Sequence, residues 1–212
     1  MIGIEAVIRK EDKMKRTIKN LVFDVGGVLL EYRWRDMFRE QGLAEEEIDK
    51  LETILFRDDI WAWKLDTGAI TVAQAADEFR QKGVPHPDEV TWFLEHIEEM
   101  SVPRPDIWER VAALKEKGYG IYLLSNYSQE MFEKHTKGAS FLDILDGGIV
   151  SYQVHVIKPD PAIYQALFDR CDLDPAECLF FDDRKENVEG SLKAGMDAIQ
   201  VTSREMLAME LD

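Results

Sequence analysis

The sequence predicts an α/β protein in which a parallel sheet is wrapped by helices and interrupted once by an all-helical insertion. Three observations carry this reading. From Asn20 onward, short apolar runs alternate with longer amphipathic stretches, the pattern of repeated strand and helix units. The apolar runs are continuous rather than alternating, as strands covered on both faces should be. Between Tyr32 and Arg104, by contrast, no convincing strand stands out.

Taken in order, the expected strands are Leu21–Phe23, Ile121–Leu124, Leu179–Phe181 and Ala198–Val201, with a fifth at Gly148–Tyr152. Ile107, Val111 and Leu114 recur at helical spacing before the Gly118-Tyr119-Gly120 stop. Asp160 followed by Pro161 opens another helix with a cap and a first-turn proline. A further helix runs from about Glu186 to Ala194 and ends at Gly195. Within the insertion, Ile48, Leu51, Ile54 and Leu55 mark one helix, and Trp92, Phe93, Leu94 and Ile97 another. Between them Thr71-x-x-Gln74 has the form of a capping box opening a helix that buries Val72, Ala75, Ala76 and Phe79. The Pro-rich segment Val102–Pro105 closes the interval, which holds twice as many acidic as basic residues and reads as solvated helix faces.

The chain has 212 residues, 45% of them hydrophobic, enough for one core and a smaller module. Lys plus Arg number 26 against 42 Asp plus Glu, a net charge of −16 that repels nucleic-acid backbones and anionic lipid. Neither a nucleic-acid nor a membrane partner is expected. No apolar run is long enough to span a bilayer, no signal-peptide core opens the chain, and Cys171 and Cys178 form no disulfide framework. A cytoplasmic protein with two buried thiols is the expectation. Residues 1–17 are mixed and charged and read as an extension. Met14 precedes Lys15–Lys19, a natural lead-in to the first strand, and is read as an alternative start, so removal of residues 1–13 should leave stability and activity intact.

Polar residues sit directly after three of the strands, where ligands bind in an open parallel sheet. Phe23 is followed by Asp24, then Gly26-Gly27, where a carboxylate could serve as nucleophile or metal ligand and the glycines allow close backbone approach. Ser125-Asn126 follows Leu124, a hydroxyl and an amide able to hold phosphoryl oxygens. Asp182-Asp183 follows Phe181, a pair of hard oxygen donors of the kind Mg²⁺ takes. Each alone is an ordinary turn, loop or helix start; their order, with Lys158-Pro159 between the second and third, is what joins them.

In these motifs the sequence resembles the haloacid dehalogenase superfamily of hydrolases, from about Ile18 to Thr202. The resemblance rests on Asp24 at the first strand end, Ser125-Asn126, Lys158-Pro159-Asp160-Pro161-x-x-Tyr164, and Phe181-Asp182-Asp183-Arg184-x-x-Asn187 with the trailing Gly190-Ser191-x-x-Ala194-Gly195. It implies a Rossmann-like three-layer core, residues 18–31 and 105–212, with the helical cap, residues 32–104, selecting the substrate. It also implies a Mg²⁺-dependent phosphatase acting on a small phosphorylated metabolite, such as a sugar phosphate. Asp24 would form an aspartyl-phosphate, with Mg²⁺ held by Asp24, the carbonyl of Gly26 and Asp183, and Asp182 behind them. Gly26, Gly27, Ser125, Asn126 and Lys158 would cradle the phosphate.

One position departs from the pattern. The family's phosphatases carry a second acid where this chain has Gly26, an acid that protonates the leaving group and later activates water. Three consequences stay open: an ester whose leaving group departs easily or draws its proton from solvent or a cap residue, a 2-haloacid dehalogenase, or a noncatalytic binding protein on the same fold. The acidic pair Asp182-Asp183 favours the phosphatase, because displacement of halide by a carboxylate needs no metal. Gly26→Asp is expected to fold. His86, His96, His135 and His155 lack metal-ligand spacing, so no transition-metal site is expected. Trp61-x-Trp63 and Arg33-x-Arg35 could line a leaving-group pocket, although cap packing is the ordinary role of such tryptophans and a solvated surface that of such arginines. Oligomeric state is not legible.

Overall fold

The computed structural model describes residues 17–212; the expectations for the N-terminal extension through residue 16, Met14 included, lie outside them. Strands β1 (Asn20–Phe23), β4 (Gly120–Ser125), β5 (Gly147–Val150), β6 (Cys178–Asp182) and β7 (Asp197–Gln200) form one sheet in the order β5-β4-β1-β6-β7, and every pairing is parallel. The intervening β2 (Leu30–Tyr32) and β3 (Ser101–Pro103) form a separate antiparallel ribbon. Helices α5 (Pro105–Glu116), α6 (Gln129–His135), α7 (Pro161–Cys171), α8 (Lys185–Ala194) and α9 (Arg204–Leu211) surround the sheet.

Successive β1 side chains go to opposite faces. Val22 joins Leu124, Phe180 and Ala198 in a core with Ile163, Tyr164 and Leu167 of α7. Leu21 and Phe23 join Leu123, Phe181 and Ile199 in a second core with Ile107, Val111 and Leu114 of α5. Burial on both faces is why each strand reads as an unbroken apolar run.

Between β2 and β3 the chain builds the helical cap: α1 (Trp34–Glu40), α2 (Glu45–Phe56), a π-helical turn (Ile60–Leu65), α3 (Val72–Lys82), α4 (Pro87–Glu95) and a 3₁₀ turn (Ile97–Met100). The second core cluster runs unbroken into it through Leu30, Met37, Phe38, Leu51 and Phe93. The expected capping box is present: Thr71 Oγ1 accepts from Gln74 N at 3.2 Å and Gln74 Oε1 accepts from Thr71 N at 2.9 Å. Thr71→Ala should therefore lower stability by about 1 kcal/mol, a fall of roughly 2–4 °C in the melting temperature by calorimetry.

Two expectations are corrected. The interval expected to lack strands ends in β3, whose residues Ser101–Pro103 pair with Leu30–Tyr32. A three-residue strand containing proline has too short a period to register in sequence, and its partner lies some seventy residues away. The fifth strand begins at Gly147 and stops at Val150, because Ser151–Gln153 turn into a 3₁₀ helix.

Candidate active site

The parallel register brings three strand ends together. Phe23 pairs with Leu123 on one side and Phe181 on the other, so Asp24, Ser125 and Asp182 emerge side by side at the carboxyl edge of the sheet. Their side chains meet. Asp24 Oδ1 accepts from Ser125 Oγ at 2.5 Å and from Val25 N at 2.7 Å, while Oδ2 lies 2.9 Å from Lys158 Nζ. The ammonium also reaches Asp182 Oδ2 at 2.7 Å and the Leu124 carbonyl at 2.9 Å, which uses all three of its hydrogens. Lys158 is buried, as is Asp182.

Several groups hold this arrangement in place. Asn126 clamps the lysine loop, its Nδ2 donating to the Lys158 carbonyl at 3.1 Å and its Oδ1 accepting from Lys158 N at 2.8 Å. Asp182 accepts from Arg184 N at 2.8 Å and from Asn187 Nδ2 at 3.0 Å. Burial alone would lower the Lys158 pKa, but the facing carboxylates of Asp182 and Asp24 outweigh it and hold the ammonium charged. Burial, reinforced by Asp24, pushes the Asp182 carboxyl up against the pull of Lys158.

Asp183 is the freer member of its pair. Its residue surface is exposed, yet its carboxylate lies in a group with Asp24 and Asp182 whose ligand oxygens are all within 4.8 Å of one another. Desolvation and then repulsion from Asp24 and Asp182 push it up to about 7. Gly27 permits this approach: it has φ +70°, and a Cβ there would sit 2.8 Å from the Asp183 carboxyl carbon. Three carboxylates facing one ammonium leave excess negative charge, and the all-oxygen donor set fits a hard divalent cation such as Mg²⁺. Asp24 and Asp183 face the cleft and are the members placed to hold it, whereas Asp182 is fully buried behind them and accepts from Lys158, Arg184 and Asn187.

The site opens into a cleft of about 300 Å³ between core and cap. Trp34, Phe56 and Trp61 form an aromatic wall, with ring centroids 5.0 Å apart for Trp34–Phe56 and 4.8 Å for Phe56–Trp61. Of the tryptophan pair, Trp61 is therefore both cap packing and cleft lining, whereas Trp63 is 49% exposed. Neither arginine of the pair lines the cleft: Arg33 binds Glu40, and Arg35 binds Glu45, Asp49 and Glu52, of which Glu52 does line it. Arg57 and Arg184 line the cleft instead.

Among the lining residues that escaped the sequence reading are two tyrosines and an aspartate. Tyr32 stands over Gly26, and Tyr127 lies beside it. Asp66, at the end of the π-helical turn, enters from the cap, where burial and the nearby Asp24 push it up to about 7 despite Arg184 and Lys158. Its backbone carbonyl accepts from Ser151 Oγ and that of Thr67 from His155 Nδ1 at 2.9 Å, so the cap is tied to the core at this point. A carboxylate after a lysine-leucine step in an acidic insertion carries no local signal.

Comparison with known proteins agrees with the architecture. A family described as haloacid dehalogenase-like hydrolase matches residues 18–195. The chain is 30% identical over 203 residues to a D-ribitol-5-phosphate phosphatase of Bacteroides thetaiotaomicron, covering 86% of this chain and 91% of that one. It is 26% identical over 196 residues to (S)-2-haloacid dehalogenase 1 of Pseudomonas sp. (strain CBS-3), covering 87% and 84%. The fold is similar to a crystal structure of the HAD family enzyme bt-2542 from B. thetaiotaomicron in complex with magnesium and inorganic phosphate, with a TM-score of 0.67 and 23% identity over 88% of this chain and 96% of that one. Among the described residues, no helix is long and apolar enough to cross a membrane. With the parallel sheet, the inserted helical cap and the family match over most of its length, this chain belongs to the haloacid dehalogenase-like hydrolases.

Proposed function

We propose that this hydrolase is a Mg²⁺-dependent phosphatase that cleaves a small phosphorylated metabolite through a phosphorylated Asp24. The observation that carries the reading is the pairing of a held nucleophile with a spare carboxylate: Asp24 is bonded by Ser125 and Lys158, and Asp183 stands beside it with unspent oxygens. Asp24 attacks phosphorus as the ester P–O bond breaks, and the departing oxygen takes up a proton. Water then attacks phosphorus, releasing phosphate and restoring the carboxylate. Ser125 Oγ and Lys158 Nζ, which both bond Asp24 in the free protein, would turn to the phosphoryl oxygens as Asp24 is taken up by phosphorus, the lysine as a fixed positive charge, and Asn126 Nδ2 has a second hydrogen to add. Asp24 and Asp183, with the Gly26 carbonyl, would hold Mg²⁺, which when bound screens the carboxylates from an incoming phosphate dianion. The phosphatase relative and the magnesium–phosphate complex of the fold neighbour support this reading.

The second reading, a 2-haloacid dehalogenase, draws on the dehalogenase relative and on the missing acid at Gly26. One panel separates them: phosphate release from sugar phosphates, nucleotides and an aryl phosphate, with Mg²⁺ and with chelator, beside halide release from a 2-haloacid. Mg²⁺-dependent phosphate release is expected. Chloride release indifferent to chelator, with no phosphate released, would overturn the phosphatase.

Metal and pH should act together on stability. Asp66 and Asp183 titrate near 7 when folded, against a usual carboxylate value of about 4 when unfolded. The folded state therefore holds protons that the unfolded state has lost, and stability falls as pH rises through 7. His135, held down to about 4 by burial, works in the opposite sense below its ordinary value of 6.5; two carboxyls outweigh one imidazole, though solvent at Asp183 trims its share. Metal-free protein should thus melt lower at pH 8 than at pH 6. At 100 times its Kd, Mg²⁺ should then add about 2.7 kcal/mol, or roughly 5–11 °C, at pH 8.

A further inference from the structure

The space in front of Gly26 is filled. A Cβ built there would lie 2.5 Å from Cε2 and 2.6 Å from Cζ of Tyr32, and nearer still to the hydroxyl. The phenol therefore stands where the carboxyl of an acid at position 26 would stand. Its backbone is pinned by the ribbon, in which Tyr32 pairs with Ser101, and the residue lines the cleft.

The direction of that hydroxyl follows from its partners. It is hydrogen-bonded to the Tyr127 hydroxyl, which lies 3.3 Å from His135 Nδ1, and His135 Nε2 lies 2.7 Å from the Ile97 carbonyl. A carbonyl only accepts, so Nε2 carries the hydrogen. Burial keeps the ring neutral, which leaves Nδ1 a lone pair. Tyr127 thus donates to His135 and accepts from Tyr32. The single hydrogen of Tyr32 is used within this array, which leaves its oxygen able only to accept. Burial and the neighbouring Tyr127, Asp24 and Asp183 keep the phenol protonated throughout the working pH range.

We infer that Tyr32 determines specificity from the place of the missing acid: it is a fixed hydrogen-bond acceptor for the leaving group, and favours phosphate esters that carry a hydroxyl next to the esterified carbon. The inference rests on the phosphatase reading above. A hydroxylated leaving group would satisfy the Tyr32 oxygen with its own O–H, whereas a bare alkyl chain would strip that oxygen of water and give nothing back.

The test uses the full chain with Mg²⁺ and three probes: ribitol 5-phosphate, n-pentyl phosphate and p-nitrophenyl phosphate. Tyr32→Phe removes the oxygen and keeps the ring. It should lower kcat/KM on ribitol 5-phosphate by tenfold or more relative to its effect on the other two, chiefly through KM, and so erase the preference for the polyol ester. Equal losses on all three would make Tyr32 a packing residue and overturn the inference. A loss shared by both alkyl esters but spared by the aryl ester would mark a proton donor and overturn it too. A wild-type enzyme active on the esters without hydroxyls and inactive on ribitol 5-phosphate would do the same. Silence of the wild type on every probe would instead overturn the phosphatase reading itself, and this inference with it.

The shared space has its own readout, independent of turnover. Gly26→Asp should lower the melting temperature more in the wild-type background than in Tyr32→Ala, where the space is free. Equal effects in both backgrounds would show that residues 26 and 32 do not compete for one place, and would overturn the inference.

Discussion

Replacing Asp24 by Asn should lower phosphate release by about 10⁴-fold or more, because the amide cannot form the covalent intermediate. The loss should persist at saturating Mg²⁺, and no phosphorylated protein should accumulate on brief mixing with substrate. The same substitution removes one of three carboxylates whose oxygens crowd within 4.8 Å. Lys158 keeps its 2.7 Å contact with Asp182 and its bond to the Leu124 carbonyl. In chelator, therefore, the variant should melt no lower than wild type. Turnover near the wild-type rate would refute Asp24 as the nucleophile, whereas a large drop in melting temperature would show that its charge is needed structurally.

Lys158→Met should have the opposite signature in stability. Among the described residues, the wild-type ammonium is the one cation bonded to both Asp24 and Asp182. Methionine matches the stem but leaves two carboxylates facing one another at a buried site. Breaking a buried pair in this way costs about 3–5 kcal/mol, which corresponds to roughly 6–20 °C for a chain of this size. Activity should fall by about 10²–10³-fold through loss of the fixed charge on the phosphoryl group. The sign of the pH effect follows from the carboxyls. Without the lysine, the Asp182 carboxyl, already pushed up by burial, loses the charge that pulls it down and rises further, so the folded variant takes up a proton that the unfolded chain does not. Its deficit against wild type should accordingly shrink as pH falls from 8 to 5, measured by thermal melts in chelator. A deficit constant over that range would mean that the lysine stem, rather than its charge, carries the stability.

Much of this molecule was legible before its structure. Strands covered on both faces must be apolar throughout, so β1, β4, β6 and β7 appear as continuous runs. The capping box at Thr71 and the Asp160-Pro161 start are local hydrogen-bond devices, complete within four residues, and both occur where expected: Asp160 accepts from Ala162 N at 2.8 Å. Asp24, Ser125 and the Asp182-Asp183 pair could be picked out because each follows an apolar run, and a parallel sheet places all such ends on one edge, whereas Lys158 was marked by its place between the second and third of them, followed by Pro159. The structure brings them within bonding distance as that rule requires.

What stayed hidden depends on pairs of residues far apart in the chain. β3 is too short for periodicity and exists only because Leu30–Tyr32 lies alongside it. Tyr32 reads as one more aromatic at the start of an acidic insertion; only the ribbon swings it over Gly26, and only the core helix α6 brings His135 behind Tyr127. Asp66 reaches the cleft through bonds from Ser151 and His155 to the cap backbone. The sequence alone determined the fold class, the core strands and the chemical groups at the sheet edge, because those follow from burial patterns and local hydrogen bonding. The tertiary structure decided what stands in for the absent acid and what lines the leaving-group side. Those are matters of which distant side chains share a space, and hydrophobic period carries no record of that.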